Sequence, residues 1–82
     1  MTHEPLLAGL DHLRAALERT QAVGRQLIGL HVDDARQLAT RSLCHFRVVR
    51  RNGKGSIRTA ELDTKRINVS TEDDIVVDFS TG

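Results

Sequence analysis

The chain has 82 residues, 12 lysines and arginines against 11 acids, a formal charge of +1, and almost no aromatic side chains: two Phe, no Trp and no Tyr. A chain this short has room for one domain and buries only about 60% of the surface its unfolded state exposes, so its core must be assembled from Leu, Ile, Val and Ala. A lone cysteine, Cys44, excludes an intramolecular disulfide. The near-neutral total points to no nucleic acid, and the start MTHEP has neither a basic segment nor a continuous apolar run. The expectation is therefore a cytoplasmic protein with no membrane span, although a mature secreted fragment would look the same.

From Pro5 to about Gln26, Leu6, Leu10, Leu13 and Leu17 recur at spacings of four, three and four, with Arg14, Glu18 and Arg19 between them. That period predicts an amphipathic helix. Pro5 suits its first position, and Gly24 weakens its far end. LIGLHV breaks the period, with a turn at Gly29. A second helix is predicted from about Val32 to Leu43, with Asp33 and Asp34 in the first turn, where carboxylates complement the helix dipole. Ala35, Leu38, Ala39 and Leu43 form its inner stripe.

After Cys44 the period becomes two. HFRVVRR is predicted as a strand with Phe46 and Val48 on one face, and RNGKG ends it with turn chemistry. RINVS forms a second strand, with Ile67 and Val69 sharing a face; STEDD turns; IVVDF forms a third. The order predicts an α+β fold, a three-stranded mixed sheet packed by one helix, with residues 1–26 as an extra N-terminal helix and 27–82 as the domain. The stretch from Gly53 to Arg66 is too long for a tight hairpin, so its flanking strands are expected to lie parallel with an exposed ribbon between them. The N-terminal stripe either packs on the domain's own sheet or pairs with the same helix in a second molecule, and the homodimer is the favoured expectation because small domains gain burial by association.

Several chemistries are set aside. NGKGS (residues 52–56) fails the spacing of a phosphate loop and no helical pattern follows it. His3, His12, His31 and His45 have no zinc-like spacing with Cys44 or with one another, so no metal and no cofactor is expected. No recognisable motif places a Ser, His and Asp set or a carboxylate pair, so the chain is read as a binding protein without catalytic residues. Cys44 reads as a small buried apolar group. Charge is uneven: Arg47, Arg50, Arg51, Lys54, Arg58, Lys65 and Arg66 fall in one block, and the last residues hold only Glu72, Asp73, Asp74 and Asp78. A folded hairpin brings such blocks together and cancels them locally.

Three stretches resemble one family in the same order along the chain. LIGLHVDDARQLA (residues 27–39) is similar to the L-V-G-x-x-x-E-E-A start of the helix in the potato inhibitor I family of serine protease inhibitors, which includes short bacterial relatives. GSIRTAELDTKRINV (residues 55–69) resembles that family's binding loop, G-T-x-V-T-M-E-Y-R-x-D-R-V-x-V, without gaps. VVDFSTG is similar to its V-V-R-V-x-x-G close. The resemblance covers about Leu27 to Gly82 and implies a serine protease inhibitor whose extended loop enters a protease cleft as a substrate would. Ile57, Arg58, Thr59, Ala60, Glu61 and Leu62 then form the protease-binding loop, with Ala60 on the acyl side of the scissile bond.

The resemblance also implies that Arg66 supports the loop, donating to the acceptor oxygens of Thr59 and Glu61. Asn68 stands where a second supporting arginine is usual, Asp63 where a basic residue is common, and Leu62 where an aromatic is. A methyl side chain at Ala60 suits subtilisin-like or elastase-like targets. The reading that competes with this one is a non-inhibitory interaction module that displays Arg47, Arg50, Arg51, Lys54 and Arg58 to a nucleic acid or an acidic protein. A winged helix-turn-helix needs three helices where only two are visible.

Overall fold

The computed structural model describes residues 4–55 and 63–82. Helix α1 spans Glu4–Leu27 and helix α2 Val32–Arg41; strands follow at His45–Arg51 (β1), Lys54–Gly55 (β2), Arg66–Glu72 (β3) and Ile75–Thr81 (β4). The α+β class is as the periodicities predict, but the sheet has four strands, in the order β2-β1-β3-β4, rather than three. The additional strand arises at Asn52-Gly53. Both residues take the left-handed conformation (φ 50° and 81°), the two-residue hairpin turn whose twist matches that of its strands. The chain therefore folds back before it crosses over, and Lys54 and Gly55 pair antiparallel with Arg51 and Arg50.

β1 and β3 run parallel, as the length of the connection requires, from His45↔Arg66 to Arg51↔Thr71, with a register shift between Val48 and Arg50. β4 returns antiparallel beside β3 through a turn at Asp73 and Asp74, again left-handed at both positions. Side chains alternate across β3. Ile67 and Val69 are wholly buried toward the helices, and Arg66, Asn68 and Ser70 take the other face. Leu27, Ala35, Ala39, Ile67, Val69 and Val76 form the core, with Val23, Leu30, Leu38, Phe46, Val48 and Phe79 packed around it. Arg36 of α2 lies over the Phe46 ring, 5.3 Å from its centroid.

The link between the helices is itself hydrogen-bonded to the sheet. Gly29 N donates to Val76 O (2.8 Å), Val76 N to Leu30 O (2.9 Å) and Val32 N to Asp74 O (2.7 Å). These bonds cover the start of the outer edge of β4, where an unpaired row of backbone groups would invite another chain. They also fix the start of α2, which His31 caps by accepting the Asp33 N–H at Nδ1 (3.1 Å).

α2 ends at Arg41, two residues before the expected stop. Leu43 N donates to Thr40 O and Cys44 N to Ala39 O, the paired bonds of a Schellman close, with Leu43 in the left-handed position that glycine usually takes. Leu43 is 79% exposed and lies outside the inner stripe assigned to it. α1 continues through Gly24, which is buried: a Cβ there would stand 2.4 Å from the Phe79 ring. The glycine is a notch for close helix-sheet approach. The division between residues 26 and 27 thus falls inside α1, whose last two turns pack on the sheet through Val23, Gly24 and Leu27.

Candidate functional site

The residues assigned to the protease-binding loop, Ile57, Arg58, Thr59, Ala60, Glu61 and Leu62, lie outside the described residues; their two anchors do not. On one side of them Gly55 stands opposite Arg50 near the far end of β1, and on the other Asp63 stands beside His45 at the near end. Five residue steps along β1 separate these ends, about 17 Å at the usual rise.

The return anchor is built around one carboxylate. Asp63 Oδ2 accepts a hydrogen bond from His45 Nδ1 at 2.7 Å, and Oδ1 accepts the backbone N–H of Lys65 at 2.9 Å. Arg66 Nε stands 3.5 Å from Oδ2, and its backbone N–H donates to Asp63 O. His45 N closes the turn by donating to Lys65 O (2.7 Å). The Asp63 carboxyl is held below its ordinary value first by the His45 hydrogen bond and next by the Lys65 amide. Burial opposes the shift, and the charges of His45 and Arg66 add to it. The carboxylate is largely enclosed, while the imidazole that serves it is 65% exposed.

A second tie comes from the helix layer. Thr20 Oγ1, in the buried part of α1, lies 2.6 Å from Thr64 O and 2.9 Å from Ala16 O, sharing its hydroxyl proton between a helix carbonyl and the residue after Asp63. Thr20 also lowers the Cys44 thiol as a hydrogen-bond partner, but burial acts more strongly and leaves the thiol above its ordinary value. Cys44 lines a groove of about 480 Å³ with Ala16, Val23, Leu43 and Lys65.

The two residues assigned to loop support share the outer face of β3 but make different side-chain contacts. Arg66 belongs to the return anchor. Asn68 is buried and joins three strands: Nδ2 donates to Gly82 O (2.9 Å) and approaches Ser80 Oγ (3.4 Å), while Oδ1 accepts from Arg47 Nε (3.3 Å). It therefore ties the C-terminal residues to β1 and β3. Toward the hairpin the same face opens into a concavity of about 310 Å³ beside Val49, Gly55, Ser70 and Asp78.

His45, Thr20 and Thr64 escape the sequence reading because nothing local marks them. His45 and Asp63 are 18 residues apart, Thr20 and Thr64 are 44, and only the fold brings them together. Comparison with protein-family models, with curated proteins and with solved structures finds no match. Among the described residues no group of three metal-ligating side chains converges, and no helix is long and apolar enough to cross a membrane.

Proposed function

We propose that the chain is a substrate-like inhibitor of serine proteases, with residues 57–62 as the segment that enters the cleft. One observation carries the reading: the described residues on either side of 56–62 stand at opposite ends of β1, Gly55 paired with Arg50 and Asp63 bonded to His45, on a scaffold whose flanking strands are parallel. A segment fixed at both ends loses less conformational freedom when it docks, which favours binding over release of product. The resemblance of residues 55–69 to the potato inhibitor I loop supplies the register, with Ala60 on the acyl side and Glu61 after the scissile bond. The protein acts by occupying a cleft and performs no chemistry of its own.

The test is incubation with subtilisin-like, chymotrypsin-like and elastase-like enzymes, followed by residual activity and intact mass. Stoichiometric inhibition of the first or third class, with slow cleavage between Ala60 and Glu61, is the expected result. Each missing methylene in an apolar pocket costs on the order of 1–3 kcal/mol, so Ala60→Leu should improve inhibition of chymotrypsin-like enzymes. Rapid cleavage at many sites without inhibition by any panel enzyme would remove the proposal.

A second reading rests on Arg50, Arg51 and Lys54, which are all exposed on the β1-β2 hairpin. In that reading the hairpin meets a nucleic acid or an acidic protein. Phosphate contacts would make the affinity fall steeply with salt, at a logarithmic slope near −0.9 per contact, whereas insertion into a cleft would depend on salt far less.

A further inference from the structure

We infer that the outer edge of β4 from Phe79 to Thr81 is a docking edge for an extended acidic segment of a partner protein, which joins the sheet as a further strand beside Arg25 of α1. The inference is independent of the inhibitory function proposed above. β4 ends the sheet, whose order is β2-β1-β3-β4, and its pairing with β3 fixes which of its backbone groups face outward. Gly82 N donates to Arg66 O, and the register pairs Ser80 with Asn68 and Asp78 with Ser70. Hydrogen-bonded and non-bonded pairs alternate along an antiparallel ladder, so Asp78, Ser80 and Gly82 turn their backbone groups toward β3, and Phe79 and Thr81 turn theirs away. The link between the helices takes the outward groups of Val76, and its bonds to the strand end there. Among the described residues nothing bonds to the outward groups of Phe79 and Thr81. Such a row is a template for another strand.

The charge beside this edge says what fits it. An open concavity of about 480 Å³ lies between Gln21 and Arg25 of α1 and Phe79, Ser80 and Thr81 of β4. Arg25 is exposed and forms no ion pair with a described residue. The nearest acid before it on α1, Glu18, stands two helical turns away, about 10 Å along the axis. Asp78, the acid of β4, lies on the other face of the sheet, where it shares a concavity with Arg50. The helix side of the edge is therefore positive. That charge opposes self-pairing. Two copies joined antiparallel through β4 are related by a twofold axis normal to the sheet, which sets both helices on one face and brings the two Arg25 side chains together across the seam, where like charges repel. A strand with acids at alternate positions instead turns them toward Arg25 and Gln21, while main-chain hydrogen bonds to Phe79 and Thr81 supply the remaining affinity.

The test is titration of the full chain with two N-acetylated heptapeptide amides, one alternating Thr with Glu and the other alternating Thr with Lys, followed by amide NMR. The Thr-Glu peptide should shift the Phe79 and Thr81 amides and slow their hydrogen exchange about tenfold at saturation, leaving Val69 in the core unchanged. Arg25→Glu, at an exposed position, should weaken that binding about tenfold and make the Thr-Lys peptide the better ligand. Thr81→Pro removes one outward N–H and no bond to β3, so it should abolish binding while urea unfolding stays near that of wild type. Equal binding of the two peptides, failure of both to bind at millimolar concentration, or shifts confined to the β1-β2 hairpin would overturn the proposal. So would protection of Phe79 and Thr81 that rises with protein concentration in the absence of peptide, which is the signature of a second copy at the edge.

Discussion

Gly24 of α1 lies against the ring of Phe79 on β4 so closely that a Cβ at position 24 would meet Cε2 at 2.4 Å and Cδ2 at 2.5 Å. Two opposed effects bear on Gly24→Ala. Alanine gains about 1 kcal/mol in a helix interior, whereas forcing a methyl into a packed contact costs typically 1–3 kcal/mol. Phe79 packs against the core, so the steric cost wins. Gly24→Ala should lower stability by about 1 kcal/mol in urea unfolding, and Phe79→Leu in the same chain should recover part of the loss by vacating the ring's space.

Leu43 presents the reverse case. Its backbone is left-handed (φ 61°) at the close of α2, and its side chain is 79% exposed. A non-glycine residue in that conformation is strained by about 1–2 kcal/mol, and glycine relieves the strain at some cost in unfolded-chain entropy. Leu43→Gly should therefore stabilise the protein by about 0.5–1 kcal/mol, raising Tm by a few degrees. An unchanged or lower Tm would mean that the exposed leucine makes a contact of its own.

These two residues mark where the sequence is legible and where it is not. The helices and the main strands declare themselves through repeated local spacing: the leucines of α1, and the alternation of Phe46 with Val48 and of Ile67 with Val69. Parallel pairing follows from the length of a connection. Gly24 has no such signature, because a glycine that weakens a helix and one that admits a neighbouring ring look alike until the ring is placed. β2 contains two residues, too few to show any period. The return anchor depends on pairs 18 and 44 residues apart, whose meeting is a property of the fold alone.

Truncation separates the two halves of α1. Thr20, Gly24 and Leu27 are buried against the rest of the fold, whereas Leu13 is 45% exposed. A chain starting at Ala15 should fold with little loss of stability, whereas one starting at Arg25 loses Thr20, Val23 and Gly24 and should unfold or become strongly destabilised. If the leucine stripe pairs two copies, sedimentation should show a dimer for the full chain and a monomer for the chain starting at Ala15. The same association state for both chains would exclude a dimer through that half of the helix.

Burial outweighs the Thr20 hydrogen bond and the Lys65 charge at Cys44, so its thiol sits above the ordinary value and little thiolate forms near neutrality. Alkylation by iodoacetamide at pH 8 should be slower for the folded protein than for the same chain in urea. Thr20→Val removes an interaction that lowers the thiol and should slow the reaction further.

Acid should release the return anchor through Asp63. Its folded-state carboxyl lies below the ordinary value of 3.8, chiefly because of the hydrogen bond from His45, then that from the Lys65 amide. The unfolded state therefore binds the proton more readily in that window, and stability rises with pH across it. The contribution is fully present above the unfolded value and is lost as pH falls through the folded one. Other carboxylates titrate in the same range, so the informative quantity is the difference between wild type and Asp63→Asn. Measured by urea unfolding from pH 2 to 6, wild type should exceed the variant at pH 6 and converge on it toward pH 2. His45→Ala removes the largest cause of the shift and should flatten the part of the slope that belongs to Asp63. A wild-type advantage that stays constant across the whole range would show that the Asp63 carboxylate contributes through packing rather than charge.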